Sequence, residues 1–92
     1  MIPRTFDWDD VNAASNLAKH GVPFAYATRV FFDEAVVDFD TSRELDREAQ
    51  RKAVGQIEGR VYTVVYAERG DAVRIISARR ANARETKLYG QV

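Results

Sequence analysis

Apolar positions recur every three to four residues in the first third of the chain and every second residue in much of the rest, which predicts helices first and strands after. Trp8, Val11, Ala14 and Ala18 follow the helical period; Asp7 stands where a cap is needed, and Asp9 and Asp10 suit the positive end. Gly21 ends this helix, with Lys19 and His20 in the last turn, where cations complement the dipole. Phe6 and Trp8 flank the cap as a hydrophobic anchor. Pro23 opens a second short helix whose apolar side is Phe24, Ala27, Val30 and Phe31.

Residues 35–39, rich in Val and Phe, read as a first strand, and further strands are expected at 51–57, 60–68 and 72–79. The turns Glu58-Gly59 and Arg69-Gly70-Asp71 are short enough to require an antiparallel meander. The intervening stretch 40–50 is almost wholly polar and reads as a loop. Residues 81–89 contain no breaker and read as a closing helix. The expected fold is α+β: two N-terminal helices, a four-stranded antiparallel sheet with its helices on one side, and a C-terminal helix, in one domain over residues 1–92.

Strand alternation assigns faces. Val61, Thr63, Val65, Ala67 and Arg69 share one, and Tyr62, Val64, Tyr66 and Glu68 the other, which is the more polar set. On the next strand Val73, Ile75, Ser77 and Arg79 are expected to oppose Arg74, Ile76, Ala78 and Arg80, so Arg79 and Arg80 diverge. Packing is the expected role of Tyr62 and Tyr66.

Charge adds an asymmetry that the net charge of zero conceals. Residues 1–46 carry 4 Lys/Arg against 9 Asp/Glu, a net of −5, and residues 47–92 carry 10 against 5, a net of +5. A basic half favours a phosphate-bearing partner. The chain has no cysteine, which removes disulfides, thiolate metal sites and cysteine nucleophiles. No apolar run is long enough to span a membrane and the N-terminus lacks an apolar signal core, so a cytoplasmic protein is expected. The carboxylates Asp7, Asp9 and Asp10 are explained by a helix start, and no phosphate-loop glycine pattern occurs; the reading calls for no metal and no cofactor.

Arginine, lysine, tyrosine and glutamate can together cleave RNA through its own 2′-hydroxyl, which needs a proton acceptor, charge stabilisation at phosphorus and a proton donor for the leaving oxygen. The same side chains also make ordinary ion-paired surface, and a lone histidine at a helix end, as His20 is, is a natural dipole partner.

The segment Phe6-Asp7-Trp8-Asp9, followed by Asn16-Leu17-Ala18-Lys19-His20-Gly21-Val22-Pro23-Phe24, resembles the opening of the BrnT family of toxins. Val64 to Arg69, then Arg74-Ile75-Ile76-Ser77-Ala78-Arg79-Arg80-Ala81 with Glu85 and Tyr89 beyond, is similar to that family's second signature. The resemblance implies a RelE-like fold and a metal-independent endoribonuclease that blocks translation, neutralised by a DNA-binding, BrnA-like antitoxin that represses its own operon. By position it implies His20, Arg79, Arg80, Tyr89 and Glu68 as catalytic residues, with Glu58 as a further proton acceptor, and Lys19, Arg69, Arg74 and Arg84 as RNA contacts. The implied partners are RNA, the antitoxin and the ribosome, and a small sheet with open edges can also dimerise within the antitoxin complex. Two other readings stay open on the residues alone: a module that binds RNA or the ribosome without cutting, and a structural partner in a transcriptional complex docked through the acidic half.

Overall fold

A computed structural model describes residues 5–41 and 49–90; most of the polar stretch between the first predicted strands, residues 42–48, lies outside these. The elements are β1 (Thr5–Trp8), α1 (Asp10–His20), α2 (Phe24–Ala27) running into a 3-10 turn (Thr28–Phe32), β2 (Val37–Asp40), β3 (Arg51–Ile57), β4 (Arg60–Arg69), β5 (Ala72–Arg80) and α3 (Ala83–Tyr89). The strands form one sheet in the order β1-β5-β4-β3-β2, in which β1 pairs with β5 in parallel and every other pair is antiparallel.

This corrects the expected architecture. Among the described residues the first element is a strand, and the sheet is five-stranded and mixed where four antiparallel strands were expected. Thr5–Trp8 is a strand because β5 supplies its hydrogen bonds from far along the chain, a parallel partner that no local pattern announces. Phe6 and Trp8 then point to the core side, against Phe31 (5.4 Å between centroids) and Phe24 (5.9 Å) respectively. With Asp7 in the strand, capping passes to Asp9, whose Oδ1 accepts from the amides of Val11 (2.8 Å) and Asn12 (3.1 Å). Gly21 ends α1 as expected, at φ 71°.

The hydrophobic face of α1 is inverted relative to its pattern. Val11, Ala14 and Ala18 are exposed, and the residue buried against the sheet is Asn16. Its side-chain amide donates to Ala78 O (2.8 Å) and Val22 O (3.1 Å), while Oδ1 accepts from Ala78 N (3.0 Å). Beyond Trp8, where β1 stops, Asn16 thus takes the place of a neighbouring strand on the free edge of β5.

The main core lies between the sheet and the α1–α2–3-10 layer. Tyr62, Val64 and Tyr66 of β4, Val73, Ile75 and Ala78 of β5, and Ala53 and Ile57 of β3 pack against Val22, Phe24, Ala27, Val30 and Phe31. The set of β4 residues expected on the more polar face is therefore the core set; its phenol oxygens misled, since the Tyr66 hydroxyl is satisfied inside by Asp38 and burial drives the phenol well above its usual range. Gly55 faces the same layer, and a Cβ there would meet Val30 Cγ1 at 2.9 Å.

Ile76 is an extra residue in β5: Val65 pairs with Ser77 and Tyr66 with Ile75. The alternation of β5 therefore changes phase at the bulge. Val73, Ile75, Ala78 and Arg80 share the helix-facing side, while Arg74, Ser77 and Arg79 lie on the other. The predicted divergence of Arg79 and Arg80 holds, but each shares its side with a different set of residues. Nor do all helices lie on one side. α3 crosses the opposite face, where Glu85 meets Lys52 and Arg79.

Candidate functional site

Three strands lay out the opposite face in rows. Val54, Thr63 and Arg79 form one row, and Lys52, Val65 and Ser77 the next, each spanning about 10 Å at ordinary strand spacing. Ala67 and Arg74 continue a third row, in which Arg74 pairs with Asp7 at 3.4 Å.

Glu85 stands over the first two rows because α3 is capped through it. Asn82 Oδ1 accepts from Glu85 N (2.8 Å) and Glu85 Oε1 accepts from Asn82 N (3.0 Å), a reciprocal capping box. The same carboxylate accepts from Arg79 Nη1 (2.7 Å) and Nη2 (2.8 Å) and from Lys52 Nζ (3.3 Å), with only 6% of its side chain exposed. The Arg79 fork, followed by the Asn82 amide, outweighs burial and holds the carboxyl down at about 2. The Thr63 hydroxyl lies beneath, close enough to favour the charged carboxylate yet outside hydrogen-bond geometry. Arg79 Nη1 also donates to Arg80 O (3.3 Å), so three hydrogen bonds fix a guanidinium that carries five N–H donors.

Ser77 joins this face to a second feature. It lines, with Asn12, Asn16, Lys19 and His20, a cleft between α1 and the edge of β5, and its Oγ lies 3.4 Å from Asn16 Oδ1. His20 and Lys19 are both exposed at its mouth. The last turn of α1 thus sits beside the same strand segment that carries Arg79, two residues from Ser77.

The other expected site residues are distributed more widely. Tyr89 is one helical turn beyond Glu85 on α3, but its hydroxyl donates to Asp33 Oδ2 (2.6 Å), and that carboxylate pushes the phenol up to about 12. Arg80 leaves the sheet on the helix side, with its guanidinium 5.9 Å from the Tyr62 ring centroid. Glu58 is on that side too, accepting from Tyr26 Oη (3.3 Å) and Arg29 Nη1 (3.2 Å). Glu68 and Arg69 end β4 at the opposite end of the sheet from Arg79, where Glu68 lies 3.9 Å from Arg51. Arg84 is exposed on the first turn of α3.

Lys52 was not among the expected residues, because a lysine in an alternating strand carries no signal until its neighbours across the sheet are known. Glu85 had one: Asn82-x-x-Glu85 is a capping-box spacing. Among the described residues no three His, Asp or Glu side chains converge as a metal site, and no helix is long and apolar enough to cross a membrane.

The fold and this face define a small α+β protein with a cationic sheet surface built around one arginine fork. Residues 8–85 match the family model described as the ribonuclease toxin, BrnT, of type II toxin-antitoxin systems, and the chain belongs to that family. The membership indicates a ribonuclease toxin with an RNA substrate and a protein antitoxin as partner. No curated protein matches the chain.

Proposed function

We propose that the chain is a metal-independent endoribonuclease that stops translation by cutting mRNA, with its reacting phosphate bound on the sheet face between Lys52, Arg79 and the mouth of the His20 cleft. The observation that carries the reading is the Arg79 fork, pinned by a buried carboxylate that it shares with Lys52, on the strand whose Ser77 also lines the cleft of Lys19 and His20.

In this reading the 2′-oxygen attacks phosphorus as its proton leaves; the O2′–P bond forms and the P–O5′ bond breaks, giving a cyclic phosphate and a 5′-hydroxyl. His20 accepts the proton of the 2′-hydroxyl, water supplies the proton that the departing O5′ takes up, and Arg79 with Lys52 stabilises the charge that gathers on the phosphoryl oxygens. Glu85 is a positioning residue: a carboxyl held at about 2 is a feeble base at neutral pH but an effective anchor for a guanidinium. Lys19, Arg74 and Arg84 serve as contacts to the RNA backbone, and Glu68 and Arg69 serve RNA only beyond the reacting centre. A DNA-binding, BrnA-like antitoxin neutralises the chain and represses the operon.

The test is cleavage of RNA by the chain freed of antitoxin, in the presence of a chelator, with His20→Gln and Arg79→Lys alongside. Fragments ending in a cyclic phosphate, and a fall of about 10²- to 10⁴-fold in His20→Gln with its fold intact, support the assignment. Intact RNA while translation still stops replaces it with the non-cutting, RNA- or ribosome-binding reading.

A further inference from the structure

Arg79 and Arg80 are adjacent in β5 yet serve opposite sides of the sheet, and the side that Arg80 serves has its own concavity. A cleft of about 260 Å³ lies between the α1–α2 turn and the start of β4, lined by Gly21, Val22, Pro23, Tyr26 and Tyr62. It is smaller than the roughly 300–1,000 Å³ of sites that take whole drug-sized ligands, which suits one flat ring system. Its wall is aromatic: the Tyr26 and Tyr62 rings meet edge to face at 5.9 Å and 80°. An arginine stands over each ring, Arg80 5.9 Å from the Tyr62 centroid and Arg29, paired with Glu58 at 3.2 Å, 5.4 Å from the Tyr26 centroid. Arginine alternating with tyrosine is the pairing that holds unstacked bases, the rings taking the base and the guanidinium its phosphate or its π-face.

Gly21 sits at φ 71° to end α1 and presents no side chain to the cleft; Glu58 restrains Tyr26 Oη and Arg29 together; and Tyr62 is a core residue with only 7% of its surface exposed. Arg80 is exposed and packs over the Tyr62 ring.

We propose that this cleft is a base-stacking subsite for one nucleotide of the RNA, adjoining the phosphate held at Arg79, with Tyr26 as the platform, Tyr62 as the buried support beside it and Arg80 as the contact to the neighbouring phosphate. The inference rests on the ribonuclease reading given above. It assigns Arg80 to substrate positioning and not to the reacting atoms. A strand of RNA crossing the end of β5 then meets Arg79 on one side and Arg80 on the other, and a preference for the base beside the cut arises at the tyrosines.

The experiment combines two readouts on the whole chain. In the first, adenosine 5′-monophosphate and ribose 5-phosphate are titrated while the tyrosine ring signals are followed by NMR. Shifts of the Tyr26 and Tyr62 rings with the nucleotide, absent with the sugar phosphate and weakened in Arg80→Gln, are expected; unmoved rings at millimolar nucleotide overturn the subsite, whether or not the chain cuts RNA. In the second, short RNAs carrying an abasic position on either side of the cut are compared in the unmutated chain and in Tyr26→Leu. One abasic position is expected to raise KM roughly 5- to 100-fold, the range of a single stacked base, and to cost little more once Tyr26 is leucine. Additive losses overturn the proposal. If no RNA is cut, the ribonuclease reading falls and the ring shifts alone decide whether the cleft takes a base.

Discussion

Arg79 and Glu85 face each other fork to fork, Nη1 to Oε1 at 2.7 Å and Nη2 to Oε2 at 2.8 Å, and this pair ties the closing helix to the sheet. The carboxylate is almost fully buried, while the side chains of its partners Arg79 and Lys52 keep 27% and 28% of their exposure. Removing Glu85 therefore leaves two cations that can partly rehydrate. Glu85→Ala should cost about 2 to 3 kcal/mol, below the roughly 3 to 5 typical of breaking a fully buried pair. Urea unfolding of Glu85→Ala, Arg79→Ala and the double variant measures the coupling, and strict additivity would remove the pair from the account.

Acid should loosen the same contact. Glu85 titrates at about 2 in the folded chain against an ordinary 4.5, so the unfolded chain binds its proton first. The stabilisation is complete above about pH 4.5 and fades as pH falls towards 2, amounting to at most about 3 kcal/mol. Thermal melts between pH 7 and 2.5 should show a decline that is shallower in Glu85→Gln; parallel curves would contradict this.

Gly55 is held by its neighbours. A Cβ at this position would meet Val30 Cγ1 at 2.9 Å and the Val30 carbonyl oxygen at 3.0 Å, and the second cannot rotate away. Gly55→Ala should destabilise by about 1 to 3 kcal/mol, an overpacking cost. A midpoint equal to that of the unmutated chain in urea would show that the 3-10 turn yields freely.

Asn16 offers a sharper contrast. Asn16→Leu leaves the Ala78 amide and two carbonyls without their side-chain partner, a loss of about 2 to 3 kcal/mol. Asn16→Asp keeps the acceptor for Ala78 N but turns an oxygen towards Ala78 O and Val22 O, so it should be the worse of the two at neutral pH and recover in acid as the carboxyl protonates. Equal stability of the two variants across pH would refute the assigned orientation of the amide.

What could be read from the chain divides along the range of the interactions. β3, β4, β5 and their two tight turns were legible because each is a local pattern: the Glu58-Gly59 turn carries φ values of 51° and 83° that a two-residue hairpin requires. β1 was not, since Thr5–Trp8 is a strand only beside Ala72–Ile75. The phase change at Ile76 was equally hidden, because a bulge is defined by its partner strand. Of the expected site, Arg79 was placed on the face that carries Lys52 and Glu85, and His20 and Lys19 in a cleft that reaches the same strand through Ser77. Glu68 and Arg80 were separated from it by the length of β4 and by the thickness of the sheet, distances that a sequence motif does not encode.

The Asn16 amide also bears on how the protein behaves when crowded. β5 is nine residues long and β1 covers four of them, so the rest of that edge would offer bare amides and carbonyls to any passing chain. By engaging both backbone groups of Ala78, Asn16 plugs that edge from within the same molecule. The contact is made within the chain, so it occupies the Ala78 backbone against an added strand whether or not an antitoxin is bound.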